Sequence, residues 1–256
     1  MRKHILGAIM LCACSSGSLY AANLAISLGI RETGGTGPIF SDAGTTGGIE
    51  FVNLDGQMLA LDGTWQQFTF TPASDTLTAF AGTTADSILD PGLEWAALEH
   101  IRIRNVEGIT APIRLWIDNI TNTDASGPTV EGFEGQALGT EVMFQEPSFS
   151  GSTASNVAAG STAAVTDSMA FEGSQSYETN FQFVDSTDTR WVRLTTFGTA
   201  ILQDTALHVR EPGAPNPTVS FYMKAAVIPE PATLSLVGLG LGLVALALVG
   251  RRRFAG

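Results

Sequence analysis

The sequence predicts a mainly β protein, a β-sandwich of one or two modules followed by a C-terminal transmembrane helix. Three observations carry that expectation. Gly, Thr, Ser and Asp are abundant through the body of the 256-residue chain, while helix-like periodicity is scarce. Short runs in which apolar and polar residues alternate, the pattern of a half-buried strand, recur between Gly- and Asp-bearing turns. Residues 232–250 form an uninterrupted uncharged run that ends at Arg251, Arg252 and Arg253.

The first element is a leader. Arg2 and Lys3 precede an apolar stretch from Ile5 to about Cys14, and small residues follow to Ala22. Basic, apolar and small-residue regions in that order make residues 1–21 a secretory signal peptide, too short to span. A rival lies inside it: Leu11-Cys12-Ala13-Cys14 resembles a lipobox, which would make Cys14 a lipidated first residue. Both cysteines fall in this leader, so cleavage after Ala21 leaves a body without disulfide, thiol catalysis or cysteine-ligated zinc.

Within the first part, residues 22–121, Gly34-Gly35, Gly37-Pro38 and Gly47-Gly48 mark 34–48 as loop or short edge strands. Alternation then predicts strands over 49–53, 57–61, 65–71, 76–81, 99–106 and 113–120. Asp55-Gly56 and Asp62-Gly63 predict hairpin turns, because both residue types tolerate positive φ. The single helical expectation is short, over 90–98. The polar stretch from Asn122 to Pro128 reads as a linker or long loop over 122–129, and a second part runs from 130 to 226. Its last strand, over 218–224, leads directly into the tail.

The Trp65-Gln66-Gln67-Phe68-Thr69-Phe70 stretch and the Leu115-Trp116-Ile117-Asp118-Asn119-Ile120 stretch resemble the closing half of carbohydrate-binding-module-like jelly-roll sandwiches. Phe133-Glu134-Gly135 and Glu172-Gly173-Ser174-Gln175-Ser176-Tyr177 resemble the opening half of the same kind of sandwich, with an initial strand at Phe133-Glu134. A closing-type half thus precedes an opening-type half, which leaves two tandem modules or one sandwich of unusual connectivity. In such modules a structural Ca²⁺ often sits where the first and last strands meet. The resemblance implies Asp118, Glu131 and Glu134 as its ligands, which suits an ion that gathers several oxygen donors. The aromatic residues Trp65, Trp116, Trp191, Tyr177 and Tyr222 can stack on pyranose rings and are the candidate glycan platform, with core packing the alternative for those at alternating strand positions.

The tail is the most specific stretch. Its 19 residues from 232 to 250, at about 1.5 Å of helical rise each, span roughly 28 Å, which matches a hydrocarbon core of about 30 Å. Arginines on one flank alone hold the C-terminus in the cytoplasm and leave the body outside. Pro229-Glu230-Pro231, the apolar run and Arg251-Arg252-Arg253 together resemble the PEP-CTERM sorting signal of Gram-negative bacteria, here over 227–256. That resemblance implies recognition by a membrane-embedded exosortase, cleavage near Pro229-Glu230-Pro231, and delivery to the cell surface or an extracellular polysaccharide matrix.

Composition narrows the rest. Between Ala22 and Ile228 lie 24 of the 25 acidic residues against 8 of the 13 basic ones, a balance of −16. That balance excludes nucleic acid as a partner, since phosphate needs basic patches. No G-x-S-x-G elbow or phosphate loop occurs, and the two body histidines, His100 and His208, read as packing or surface residues. The chain is therefore expected not to be an enzyme. A carbohydrate-binding module is the alternative to a matrix protein, and a hydrolase would need a deep cleft with convergent carboxylates.

Overall fold

The computed structural model describes residues 22–33, 48–89, 95–124, 127–196, 208–210 and 218–228. Their strands are β1 (Asn23–Thr33), β2 (Ile49–Ala60), β3 (Asp62–Phe70), β4 (Leu77–Ala81), β5 (Trp95–Asn105), β6 (Ile113–Asp124), β7 (Gly127–Glu131), β8 (Thr162–Thr166), β9 (Ser176–Phe181), β10 (Trp191–Thr195), β11 (His208–Arg210) and β12 (Val219–Val227). They form two sheets in which every pairing is antiparallel. The first sheet has the order β10-β5-β1-β2-β4, with β11 also on β5; the second has the order β3-β12-β6-β9-β8, with β7 also on β6. Both parts of the chain contribute to both sheets: β10 and β11 pair with β5, and β12 lies between β3 and β6.

The inner faces close one apolar cluster. Leu24, Ile26, Leu28 and Ile30 of β1, with Ile101 and Ile103 of β5, meet Phe68 and Phe70 of β3, Leu115 and Ile117 of β6, and Phe221 and Met223 of β12. Burying two alternating faces against each other is what a sandwich requires. Phe221 stacks between Phe68 and Phe70, at 5.7 and 6.0 Å between ring centres.

Several expectations change. Residues 95–98, expected as the end of a helix, begin β5, because Trp95, Ala96 and Ala97 pair with Thr33, Glu32 and Arg31 of β1 and the ladder overrides helix propensity. Asp55-Gly56 turns no hairpin: β2 runs through it as one strand, and residues 53–56 bulge out between Val52 and Gln57. Left-handed Asn53 (φ 53°) and Gly56 (φ 81°) shape that bulge. Nor does Asp62-Gly63 turn a hairpin, since β2 and β3 lie in different sheets and the chain crosses between them at Leu61. Residues 122–124 and 127–129, expected within a linker, are the paired ends of β6 and β7, with Asn122 opposite Thr129. Phe133-Glu134, expected in a strand, lies in a turn beyond β7, with Phe133 at φ 62°.

No helix among the described residues is long and apolar enough to cross a membrane. The signal peptide, Cys14, Pro229, Glu230, Pro231, the run 232–250 and Arg251, Arg252 and Arg253 lie outside the described residues.

Candidate functional site

A cavity of about 810 Å³ opens on the outer face of the second sheet. Asp118, Asn119, Glu131, Glu134, Gln136 and Glu172 line it. The three carboxylates expected to share an ion therefore face one cleft, and local backbone chemistry explains how. Asp118 points outward from β6 opposite Tyr222 of β12, and Asn119 then takes a left-handed conformation (φ 49°) at a bulge in that pairing. β7 ends at Glu131, whose carboxylate accepts the Phe133 N–H at 2.6 Å across a tight turn. That turn sends Phe133 into the core, where it stacks on Tyr177 at 5.4 Å, and leaves Glu134 on the cleft side.

Across the cleft runs the loop joining β8 to β9, held by two carboxylates. Asp118 Oδ2 accepts the N–H groups of Phe171 (2.7 Å) and Glu172 (3.1 Å), while its Oδ1 accepts that of Asn119 (2.7 Å). Glu134 Oε1 accepts the N–H groups of Ser174 (2.7 Å) and Gln175 (2.9 Å), and its Oε2 accepts the Ser174 hydroxyl (2.8 Å). Gly173, between the two grips, sits at φ +69°, and a Cβ there would lie 2.2 Å from Glu134 Oε1. Only glycine fits that place. Asn119 Nδ2 donates to Glu172 Oε2 at 3.0 Å and ties the remaining acid to the same wall.

The two gripping carboxylates titrate in opposite directions. Burial pushes Asp118 up; its three N–H bonds oppose this, and the charge of Glu134 adds to it. The backbone and hydroxyl donors of Ser174 and Gln175 hold exposed Glu134 down. Chemically, the cleft is a concave acceptor surface whose carboxylates already bind backbone donors. No group of three or more His, Cys, Asp or Glu side chains placed to hold a metal ion occurs among the described residues.

The residues expected to stack on a glycan are divided: Trp65, Trp116 and Tyr222 share the outer face of the second sheet, while Trp191 and Tyr177 lie elsewhere. Trp65 is half-buried on the outer face of the second sheet, opposite Lys224, and meets Phe171 edge-on at 5.8 Å. Phe171 lies flat on Tyr222 at 3.6 Å. Trp116 shares that face but is buried, with its indole N–H given to Glu178 (2.9 Å) and Arg114 and Lys224 over its ring. Trp191 lies on the other sheet, packed on Phe51 and Phe80 with Arg102 over it. Tyr177 must be withdrawn from the glycan set: it is wholly buried and donates its hydroxyl to the Phe144 carbonyl, where no ring could reach it. Phe171 escaped the sequence reading, since it sits in a loop and reaches Tyr222 only through the fold.

A second polar cluster, unread in the sequence, is buried on the outer side of the first sheet. Glu99 receives Arg193 on both oxygens and His100 Nδ1, with Arg31 at 3.6 Å. A carboxylate only accepts, so His100 carries its proton on Nδ1. Its buried Nε2 has no partner, and its ring packs among Phe51, Phe80 and Trp191 directly over Gly29, where a Cβ would lie 1.9 Å away. Burial opposes charge on Glu99, yet His100 and Arg193 outweigh it and bring its pKa down to about 2. Burial drives His100 down as well, so the ring stays neutral near pH 7.

The family model for the PEP-CTERM protein-sorting motif matches residues 227–253. No curated protein and no solved structure matches the chain. The chain thus carries a PEP-CTERM sorting motif, which implies exosortase recognition and export with membrane-associated sorting in Gram-negative bacteria.

Proposed function

We propose that this protein is a non-catalytic surface or matrix component: a β-sandwich exported behind the signal peptide 1–21, held by a span at 232–250, and released by exosortase near residues 229–231. One observation carries the reading. The sorting motif begins at Val227, the last residue of β12, and β12 is an interior strand of the second sheet. Folded body and sorting signal are therefore contiguous, and the body is the cargo. The occupied state of the cleft carboxylates supports a non-catalytic role, since Asp118 and Glu134 already bind backbone donors.

The test is the intact mass of the protein from inner-membrane, surface and medium fractions of a host with exosortase. The natural chain is expected to lose residues 1–21 and the segment after Pro231, whereas alanines at 229–231 keep a full-length form in the inner membrane. Unchanged release of the alanine variant would overturn the reading. Glutamates at 251–253 should disturb topology.

A second reading, a carbohydrate-binding module that uses calcium, is favoured by the 810 Å³ cleft and by the Trp65, Phe171 and Tyr222 rings beside Lys224 on the same sheet. Saturable glycan binding that falls with a chelator or with Trp65→Ala would select it. Binding unaffected by either would remove it.

A further inference from the structure

Two arginines on the outer face of the first sheet are left without an anion. Arg102 and Arg104 are two positions apart on β5, so their side chains share that face, opposite to the core face of Ile101 and Ile103. Across the ladder to β10, Arg102 stands opposite Arg193 and Arg104 opposite Trp191. Acids outnumber bases 24 to 8 between Ala22 and Ile228, yet neither Arg102 nor Arg104 forms an ion pair among the described residues. Arg193 differs, because Glu99 takes its charge.

What the two guanidiniums have instead is neutral. Arg102 is 7% exposed and donates from Nη1 to the Leu54 carbonyl (2.9 Å) and the Ser27 hydroxyl (3.4 Å), while its Nε has no partner. Its Cζ lies 5.2 Å from the centre of the Phe51 ring and 5.1 Å from that of Trp191. The Arg104 side chain donates from Nη2 to the Asp55 carbonyl at 3.3 Å, and its buried Nε also lacks a partner. Burial and the adjacent charge of Arg104 bring the Arg102 pKa down to about 10, against a smaller opposing pull from Asp55. Ring faces and carbonyls offset part of the cost of crowding like charges, but no carboxylate balances them.

The missing partner has a definite chemistry. A guanidinium is a planar fork that fits a carboxylate on two N–H groups. Opposite Arg104 stands the half-buried indole of Trp191, whose apolar body can carry the face of a sugar ring. Two positions along a strand span roughly 7 Å, the length of one sugar unit and far short of the track a phosphate backbone needs. Acids elsewhere on the body are screened beyond about 8 Å at physiological salt.

We propose that Arg104, Arg102 and Trp191 form a binding site for a carboxylated sugar, the acidic unit of an extracellular polysaccharide. Arg104 takes the carboxylate, buried Arg102 adds its charge, and Trp191 carries the ring. This names the partner that the matrix reading leaves open, and it rests on that reading only for where such a polysaccharide is met. The site lies on the sheet opposite to the cleft and to Trp65, so it is independent of the calcium-dependent reading.

The test is calorimetric titration of the purified full-length protein in detergent with tetragalacturonate, and with maltotetraose as the uncharged oligomer of equal length. No exosortase is involved, so this measurement and the release measurement fail separately. Saturable binding of tetragalacturonate alone is expected, weakening as salt rises. Arg104→Gln should weaken it at least tenfold and Trp191→Phe at least threefold, whereas Trp65→Ala should leave it unchanged. No saturable binding, equal binding of maltotetraose, natural affinity in Arg104→Gln, or a loss in Trp65→Ala would each overturn the site. Displacement by acetate at the same molarity would remove the sugar ring from it. Should Arg104→Gln impair folding, Arg104→Lys keeps the charge without the fork and is expected to bind at least threefold more weakly; affinity equal to the natural chain's would likewise overturn the proposal.

Discussion

The two sheets treat buried charge on their outer faces in different ways. On the first, Glu99 is surrounded by side chains: Arg193 on both oxygens, His100 on one and Arg31 nearby. On the second, Asp118 is equally hidden, yet its donors are the backbone N–H groups of Asn119, Phe171 and Glu172. The first arrangement neutralises a carboxylate with full charges and binds strand to strand, β5 to β10. The second spreads one negative charge over peptide dipoles and binds a loop to a strand, which shapes a cleft. A buried acid can thus serve cohesion or form, and the nature of its donors tells which.

The contrast is broken most severely at Glu99. Glu99→Ala would leave buried Arg193 without the carboxylate it grips, and removing one partner of a buried pair costs about 3–5 kcal/mol. Urea unfolding of the exported protein should show that loss; a change below 1 kcal/mol would mean the cluster is solvated. Asp118→Asn is milder, because one oxygen can still accept while an NH₂ group faces donors. A loss of about 1–3 kcal/mol is expected, localised so that the amides of Phe171 and Glu172 exchange at least tenfold faster. Gly173→Ala should open the same loop at a cost of about 1–2 kcal/mol, from its left-handed backbone and the collision with Glu134. Global destabilisation without faster exchange in the loop would show that the carboxylates do not grip it.

How much of this was legible in the sequence follows the same division. β3 and β12 could be read because buried apolar residues of the core face alternate with half-buried or exposed residues on the other face. β1 could not: Leu24, Ala25, Ile26, Ser27 and Leu28 are all buried, both faces are covered, and alternation disappears. The Leu93-Glu94-Trp95-Ala96-Ala97-Leu98 run has helical propensity, which pairing with β1 overrides only once the sheet exists. Asp118, Glu131 and Glu134 were found through their motifs, whereas the loop donors that Asp118 and Glu134 grip lie 40 to 54 positions away and leave no local trace. Glu99 and Arg193, 94 positions apart, carried no signal beyond being charged residues in apolar strands.

The finest separation of the two regions is their response to acid. Glu99 has a native pKa of about 2 against an ordinary value of 4.5, so its stabilisation is complete above pH 4.5 and is lost as pH falls toward 2. Asp118 is shifted the other way: the native state keeps a proton that the unfolded chain releases near 3.8. Its contribution is therefore present below pH 3.8 and lost as pH rises through the native value. His100, lowered by burial, refuses a proton that the unfolded chain accepts below pH 6.5, and so removes stability as pH falls from that point. Each group changes the slope by at most about 1.4 kcal/mol per pH unit. Urea midpoints measured from pH 7 to pH 2.5 should therefore flatten in Glu99→Gln below pH 4.5, steepen in Asp118→Asn near pH 4, and lose their decline between pH 6.5 and 5 in His100→Gln. Slopes that change in the same direction at Glu99 and Asp118 would erase the distinction between side-chain and backbone neutralisation on which the comparison of the two sheets depends.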